Sequence, residues 1–108
     1  MKIKELKKKD INSDFFKTLR NLSKSLDEDI VKAKQVWTKI RNNPNHKILI
    51  ALSDDGKVIG LATLLIEKKF IRNFGKLGHL EDVVVRKGYE KKELEIHWSK
   101  QQPRQPKN

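Results

Sequence analysis

The chain has 108 residues, 36% of them hydrophobic, with 25 Lys and Arg against 14 Asp and Glu, a formal net charge of +11. That length suits one small domain with a modest core and excludes two. The absence of cysteine excludes a disulfide framework, a thiolate zinc site and a cysteine nucleophile, and points to a reducing, cytoplasmic setting.

In chain order, Met1–Leu6 reads as a short strand with Ile3 and Leu6 facing inward. Lys7–Lys9 and Asp10 form a solvated turn. Asp14 is placed to cap a helix from Phe15 to about Leu22, with Phe15, Phe16, Leu19 and Leu22 at helical spacing. Ser23-Lys24-Ser25 breaks that helix; small hydroxyls beside a lysine are groups that hold phosphate, though alone such a loop is usually a connector. Asp27 caps a second helix, Glu28 to about Arg41, whose apolar face is Ile30, Val31, Val36, Trp37 and Ile40. Asn42-Asn43-Pro44-Asn45 stops it.

His46–Ser53 then reads as a strand, Asp54-Asp55-Gly56-Lys57 as a hairpin turn, and Val58–Glu67 as the return strand. A basic connector, Lys68–Lys76, leads into a last strand, Leu77–Val85. The order predicts an α+β fold, two N-terminal helices packed on a mainly antiparallel sheet. Beyond it, Tyr89–Lys100 reads as a short charged helix, and Gln101–Asn108 as disordered. The domain expected is therefore residues 1–89, followed by a divergent charged tail, 90–108. The N-terminus lacks the apolar core of a signal peptide, and no apolar run reaches bilayer-crossing length.

The chemistry concentrates in Lys57–Val85. Glu81 and Asp82 are adjacent acids just before Val83-Val84-Val85. Strand neighbours point to opposite faces, so one acid is expected to face the packed side or a cleft. A buried carboxylate is costly unless paired or used.

The segment DDGKVIGLATLLIEKKFIRNFGKLGHLEDVVV, supported by DFFKTLRNLS and the tryptophan-bearing second helix, resembles glucosamine 6-phosphate N-acetyltransferases of the GNAT superfamily. The resemblance covers about residues 3–89. It implies a GNAT-like fold and acetyl transfer from acetyl-CoA to the amine of glucosamine 6-phosphate, a step of UDP-N-acetylglucosamine biosynthesis. By matching positions it implies that Ser23, Lys69, Phe70, Ile71 and Arg72 line the sugar-phosphate site. It makes Glu81 and Asp82 the catalytic pair that holds the sugar and its amine, with Val83 beside them. Val83, Val84 and Val85 would pair through their backbone with the pantetheine arm of acetyl-CoA. The family implies a homodimer; no metal is expected, since His46, His79 and His97 lack ligand spacing.

The sequence departs from the family after Tyr89. A Gly-rich turn opening a helix should follow, its N–H groups holding the CoA pyrophosphate. Glu90–Glu95 instead reads EKKELE, with no glycine, so the fold is expected to be incomplete at the C-terminus. If Lys92–Lys100 is encoded AAG GAA TTG GAA ATT CAT TGG TCA AAA, reading two nucleotides later gives Gly-Ile-Gly-Asn-Ser-Leu-Val-Lys. A shifted frame or splice form would then explain the tail. A truncated chain leaves two further readings open, a non-catalytic binding or dimerisation module and a small basic nucleic-acid-binding domain. The second is weaker, because the basic residues are scattered and the seven aromatics (four Phe, two Trp, one Tyr) form no stacking signature. An open Leu77–Val85 edge would invite aggregation, unless a helix over Glu90–Trp98 covered it through Leu94 and Trp98.

Overall fold

Asn12, rather than Asp14, starts the first helix: its side chain accepts the Phe15 N–H at 3.1 Å. The computed structural model describes residues 1–90 and Trp98. Among them the order is β1 (Lys2–Glu5), a single 3₁₀ turn (Lys8–Asp10), α1 (Ser13–Leu19), α2 (Ile30–Arg41), β2 (His46–Leu52), β3 (Val58–Lys68), α3 (Ile71–Phe74) and β4 (Lys76–Val85). The second helix also starts at a different aspartate from the one expected. Asp29 accepts the Lys32 N–H at 3.0 Å, and Asp27 lies outside the helix. In both places the cap is the residue whose extended backbone immediately precedes the helix, so its side chain reaches the third N–H ahead. Asp14, already helical, turns its carboxylate to Arg86 Nη1 at 3.0 Å instead.

The four strands form one sheet in the order β1-β2-β3-β4, and every neighbouring pair is antiparallel. The expected α+β architecture is the one observed. Gly56 closes the β2–β3 hairpin at φ +83°, a left-handed conformation that favours glycine, and its N–H donates to the Ser53 carbonyl at 2.9 Å.

Strand alternation sorts the apolar residues onto two faces. Ile50, Val58, Leu61 and Val84 join Leu6, Phe15 and Phe16 under the helices. Leu49, Ala51, Ile59, Ala62 and Leu64 form the opposite face, and Trp98 is buried against them. Trp98 is therefore buried on a sheet face, in a cluster that Leu80 and Val85 of β4 also pack against. Leu94 and the rest of the expected tail helix, the glycine-turn region and the segment 99–108 lie outside the described residues.

The second helix departs from its predicted apolar face. Trp37 and Ala33 pack toward the core, and Trp37 Nε1 donates to the Leu6 carbonyl at 2.9 Å. Val31, however, is 70% exposed, Ile30 and Val36 are also exposed, and no α2 residue is fully buried. Helical spacing gives a stripe of apolar residues but not how closely the helix approaches its partner. Here α2 stands off the sheet, anchored by one tryptophan.

Candidate active site

The stand-off of α2 leaves a cleft of about 600 Å³ between the two helices, their connecting loop and the sheet. Phe16 and Trp37 contribute apolar walls, Ser23 the loop side, and Leu61, Thr63 and Asp82 reach it from the sheet. Ser23 and Asp82, two residues singled out in the sequence, thus meet at one cavity.

Asp82 gets there through a β-bulge. Leu61 pairs with Val84, but Thr63 pairs with Glu81, so β4 carries one residue more than β3 in that interval. Asp82 absorbs it at φ +50°. Cross-strand partners share a face, so Glu81 and Val84 both lie on the helix side, and Asp82 lines the cleft on that side too. One acid, Asp82, faces a cleft as expected, but by way of the bulge and not of simple alternation, and both Glu81 and Asp82 are exposed. The bulge breaks the period of two, and an edge strand lets both carboxylates reach water.

The three valines differ. Val83 is exposed, Val84 is buried in the helix-side core, and Val85 packs toward the opposite face. Their side chains share no surface, but their backbone does. Among the described residues no strand pairs with the outer side of β4. That side offers backbone donors and acceptors to an extended amide-bearing arm. The turn after β4 is fixed to α1: Arg86 holds Asp14, and the Lys87 N–H donates to Asn21 Oδ1 at 3.2 Å. There the Glu90 carboxylate accepts the Gly88 N–H at 2.9 Å.

The basic connector stands apart from this cleft. It begins beyond the Lys68–Lys76 pair, and Glu81 lies five residues further along β4, roughly 17 Å of strand. Lys69 is engaged with Glu67 at 3.0 Å. Phe70 is 91% exposed, and Ile71 and Phe74 are exposed as well. Arg72 lies on α3 of the same connector. Within one chain, Lys69, Phe70 and Ile71 do not meet Ser23 or Asp82 at the cleft, and Glu81 is not part of its lining either. His79 is also placed differently from its sequence neighbours: its Nε2 lies 2.8 Å from Glu67 Oε2, across the hairpin. The Lys69 and His79 hydrogen bonds hold the Glu67 carboxyl below the usual glutamate value.

Sequence reasoning missed Thr63 and the bulge. Thr63 is a lone hydroxyl inside the apolar run LATLLI, and that interruption was the available signal. Nothing in LEDVVV announces a bulge, since it has neither the glycine nor the proline that usually marks one.

A profile of the acetyltransferase (GNAT) family matches residues 10–94. The glucosamine 6-phosphate N-acetyltransferase of Arabidopsis thaliana is 30% identical over 95 residues, 86% of this chain and 64% of that protein. Glucosamine 6-phosphate N-acetyltransferase 1 of Dictyostelium discoideum is 49% identical over 60 residues, 54% of this chain and 38% of that protein. Among solved structures, that of the Arabidopsis thaliana enzyme superposes with a TM-score of 0.74 at 33% identity, covering 86% of this chain and 65% of that one. An acetyltransferase from Trypanosoma brucei gives 0.68 at 25% identity, covering 83% and 63%. The chain thus spans just under two thirds of the length of the Arabidopsis thaliana relative.

Proposed function

Because this chain belongs to the acetyltransferase (GNAT) family, we propose that it transfers an acetyl group from acetyl-CoA to the amine of glucosamine 6-phosphate, on the way to UDP-N-acetylglucosamine. The relatives' names support the acceptor. The observation that carries the reading is the bulged edge of β4, unpaired among the described residues, with Asp82 opening onto the helix-side cleft.

Acetyl-CoA, when bound, supplies a thioester. In this reading the backbone of Val83, Val84 and Val85 holds its extended arm as a neighbouring strand would be held. Glu81 and Asp82 orient the acceptor amine and draw off its positive charge, so that the neutral nitrogen can attack. The nitrogen–carbon bond forms, the carbon–sulfur bond breaks, and the proton lost by the amine ends on the departing sulfur. The products are an N-acetyl sugar and a free thiol, with no metal required.

Lys69 and Arg72 are suited to the phosphate by charge, and Ser23 by its hydroxyl. Their separation along the hairpin favours a homodimer, in which a second copy would cover Phe70, Ile71 and Phe74. The cysteine-free composition is in keeping with a cytoplasmic enzyme. Among the described residues no helix is long and apolar enough to cross a membrane.

A second reading, binding without turnover, is favoured by Glu90. Its carboxylate sits on the Gly88 N–H, where the pyrophosphate turn should begin, and would repel that group. Thiol release from acetyl-CoA, with and without glucosamine 6-phosphate, separates the two. Release that depends on the sugar is expected for a transferase. Saturable binding of glucosamine 6-phosphate without release, and without saturable binding of acetyl-CoA, would favour the binding module.

A further inference from the structure

The two faces of the sheet are covered by different parts of the chain. Helices α1 and α2 lie over the face that holds Ile50, Leu61 and Val84. The opposite face holds Leu49, Ala51, Ile59, Ala62 and Leu64, none of them more than 2% exposed. A sheet face cannot bury itself; another part of the chain must lie on it. Among the described residues, the members of that cluster outside the strands are Tyr89 and Trp98.

Trp98 is the larger contribution: it is 7% exposed, whereas Tyr89 is half-buried. Yet its fit is one of shape alone. The indole Nε1 of Trp98 is buried with no hydrogen-bond partner among the described residues. On the other face, Trp37 gives its Nε1 to the Leu6 carbonyl at 2.9 Å. A buried tryptophan N–H ordinarily finds such an acceptor. The reason lies in the sheet: its carbonyls point in the plane, toward neighbouring strands, and the face presents aliphatic side chains. The seat of Trp98 therefore accepts a flat apolar ring and offers nothing to a polar one.

We propose that this second face is a receptor for one apolar aromatic ring, supplied by the chain's own Trp98. The domain then runs to Trp98 instead of stopping near residue 89. Trp98 acts as a cover, keeping an aliphatic face from water and from other chains. Because no polar contact fixes it, a free ring of the same shape fills the seat when Trp98 is removed. The inference concerns the face opposite the cleft and does not rest on the acetyl-transfer reading.

The test uses the full chain with Trp98→Ala and Trp98→Phe. Trp98→Ala should lower the melting temperature by more than about 10 °C. Trp98→Phe loses ring area but removes the orphaned N–H, so it should melt within about 5 °C of wild type. Indene, which has the indole shape without the N–H, should raise the melting temperature of Trp98→Ala and leave wild type unchanged. Benzimidazole, polar at its edge, should need at least about tenfold more ligand for the same rise. The emission difference between wild type and Trp98→Phe isolates Trp98, and acrylamide should barely quench it.

A Trp98→Ala chain melting within about 5 °C of wild type would overturn the proposal. So would an equal response to indene and benzimidazole, or no response to either. If Trp98→Ala proves insoluble with and without indene, the quenching measurement decides. Trp98 emission quenched like that of free tryptophan would overturn the proposal, and protected emission would support it. No acetyl donor or sugar takes part, so failure here leaves the transferase reading untouched.

Discussion

Thr18, in the middle of α1, donates its hydroxyl to the Val58 carbonyl at 2.7 Å, across 40 residues of sequence. The contact is buried, and Val58 is the first residue of β3. It pins α1 to the strand that carries Thr63, with Phe15 and Phe16 of the same helix buried in the helix-side core. Thr18→Val keeps the shape, removes the donor and leaves a buried carbonyl short of a partner. A loss of about 1–3 kcal/mol in denaturant unfolding is expected. Thr18→Ser should retain the bond and lose less. Equal losses in the two variants would mean that the methyl group, not the hydrogen bond, matters.

Asp14 and Arg86 join α1 to the turn that follows β4, with both side chains partly buried. A double-mutant cycle with Asp14→Asn and Arg86→Gln should give a coupling of about 0.5–1 kcal/mol, larger than a fully exposed pair would give. Zero coupling would show that the pair adds nothing to the hydrogen bonds from the Lys87 N–H to Asn21 and from the Arg86 N–H to the Ile59 carbonyl.

Glu67 provides a pH dependence with a definite sign. Its carboxyl is held below the ordinary glutamate value, chiefly by Lys69 and then by His79. A depressed folded value means that the stabilisation is present above the unfolded value and is lost as pH falls through the folded one. The melting temperature of the wild type should therefore fall more steeply than that of Glu67→Gln on acidification through that window. Parallel curves would mean that the exposed pair contributes nothing.

Asp82 separates backbone from charge. At φ +50°, asparagine or glycine fits, whereas a β-branched residue is strained by about 1–3 kcal/mol. Asp82→Asn should match wild-type stability, and Asp82→Val should unfold at lower denaturant. If the carboxylate orients the acceptor amine, Asp82→Asn should also lower sugar-dependent thiol release by at least about tenfold. Unchanged release would move that role to Glu81.

Most of the fold was legible because its signals are local. The apolar runs within His46–Ser53 and Val58–Glu67 flank an Asp-Gly turn, and Phe15, Phe16 and Leu19 are spaced for a helix. The caps were misplaced because Asn12, Asp14, Asp27 and Asp29 are chemically near-equivalent, and only the chain path decides among them. The candidate site was half legible. Ser23 and Asp82 share a cleft, while Lys69 does not. Such distances depend on the stand-off of α2 and on a one-residue bulge, neither of which has a composition of its own. The same bulge undid the argument that adjacent strand acids must part, since that argument assumes an unbroken alternation.

The most direct test of the central claim follows backbone amide resonances of the whole chain while acetyl-CoA is added. The account predicts saturable shifts concentrated at Val83, Val84 and Val85, with smaller ones at Asp82 and at Thr63 on the facing strand. Shifts confined to the basic connector around Lys69, or none at any concentration, would contradict the claim that the bulged edge of β4 holds the acetyl donor.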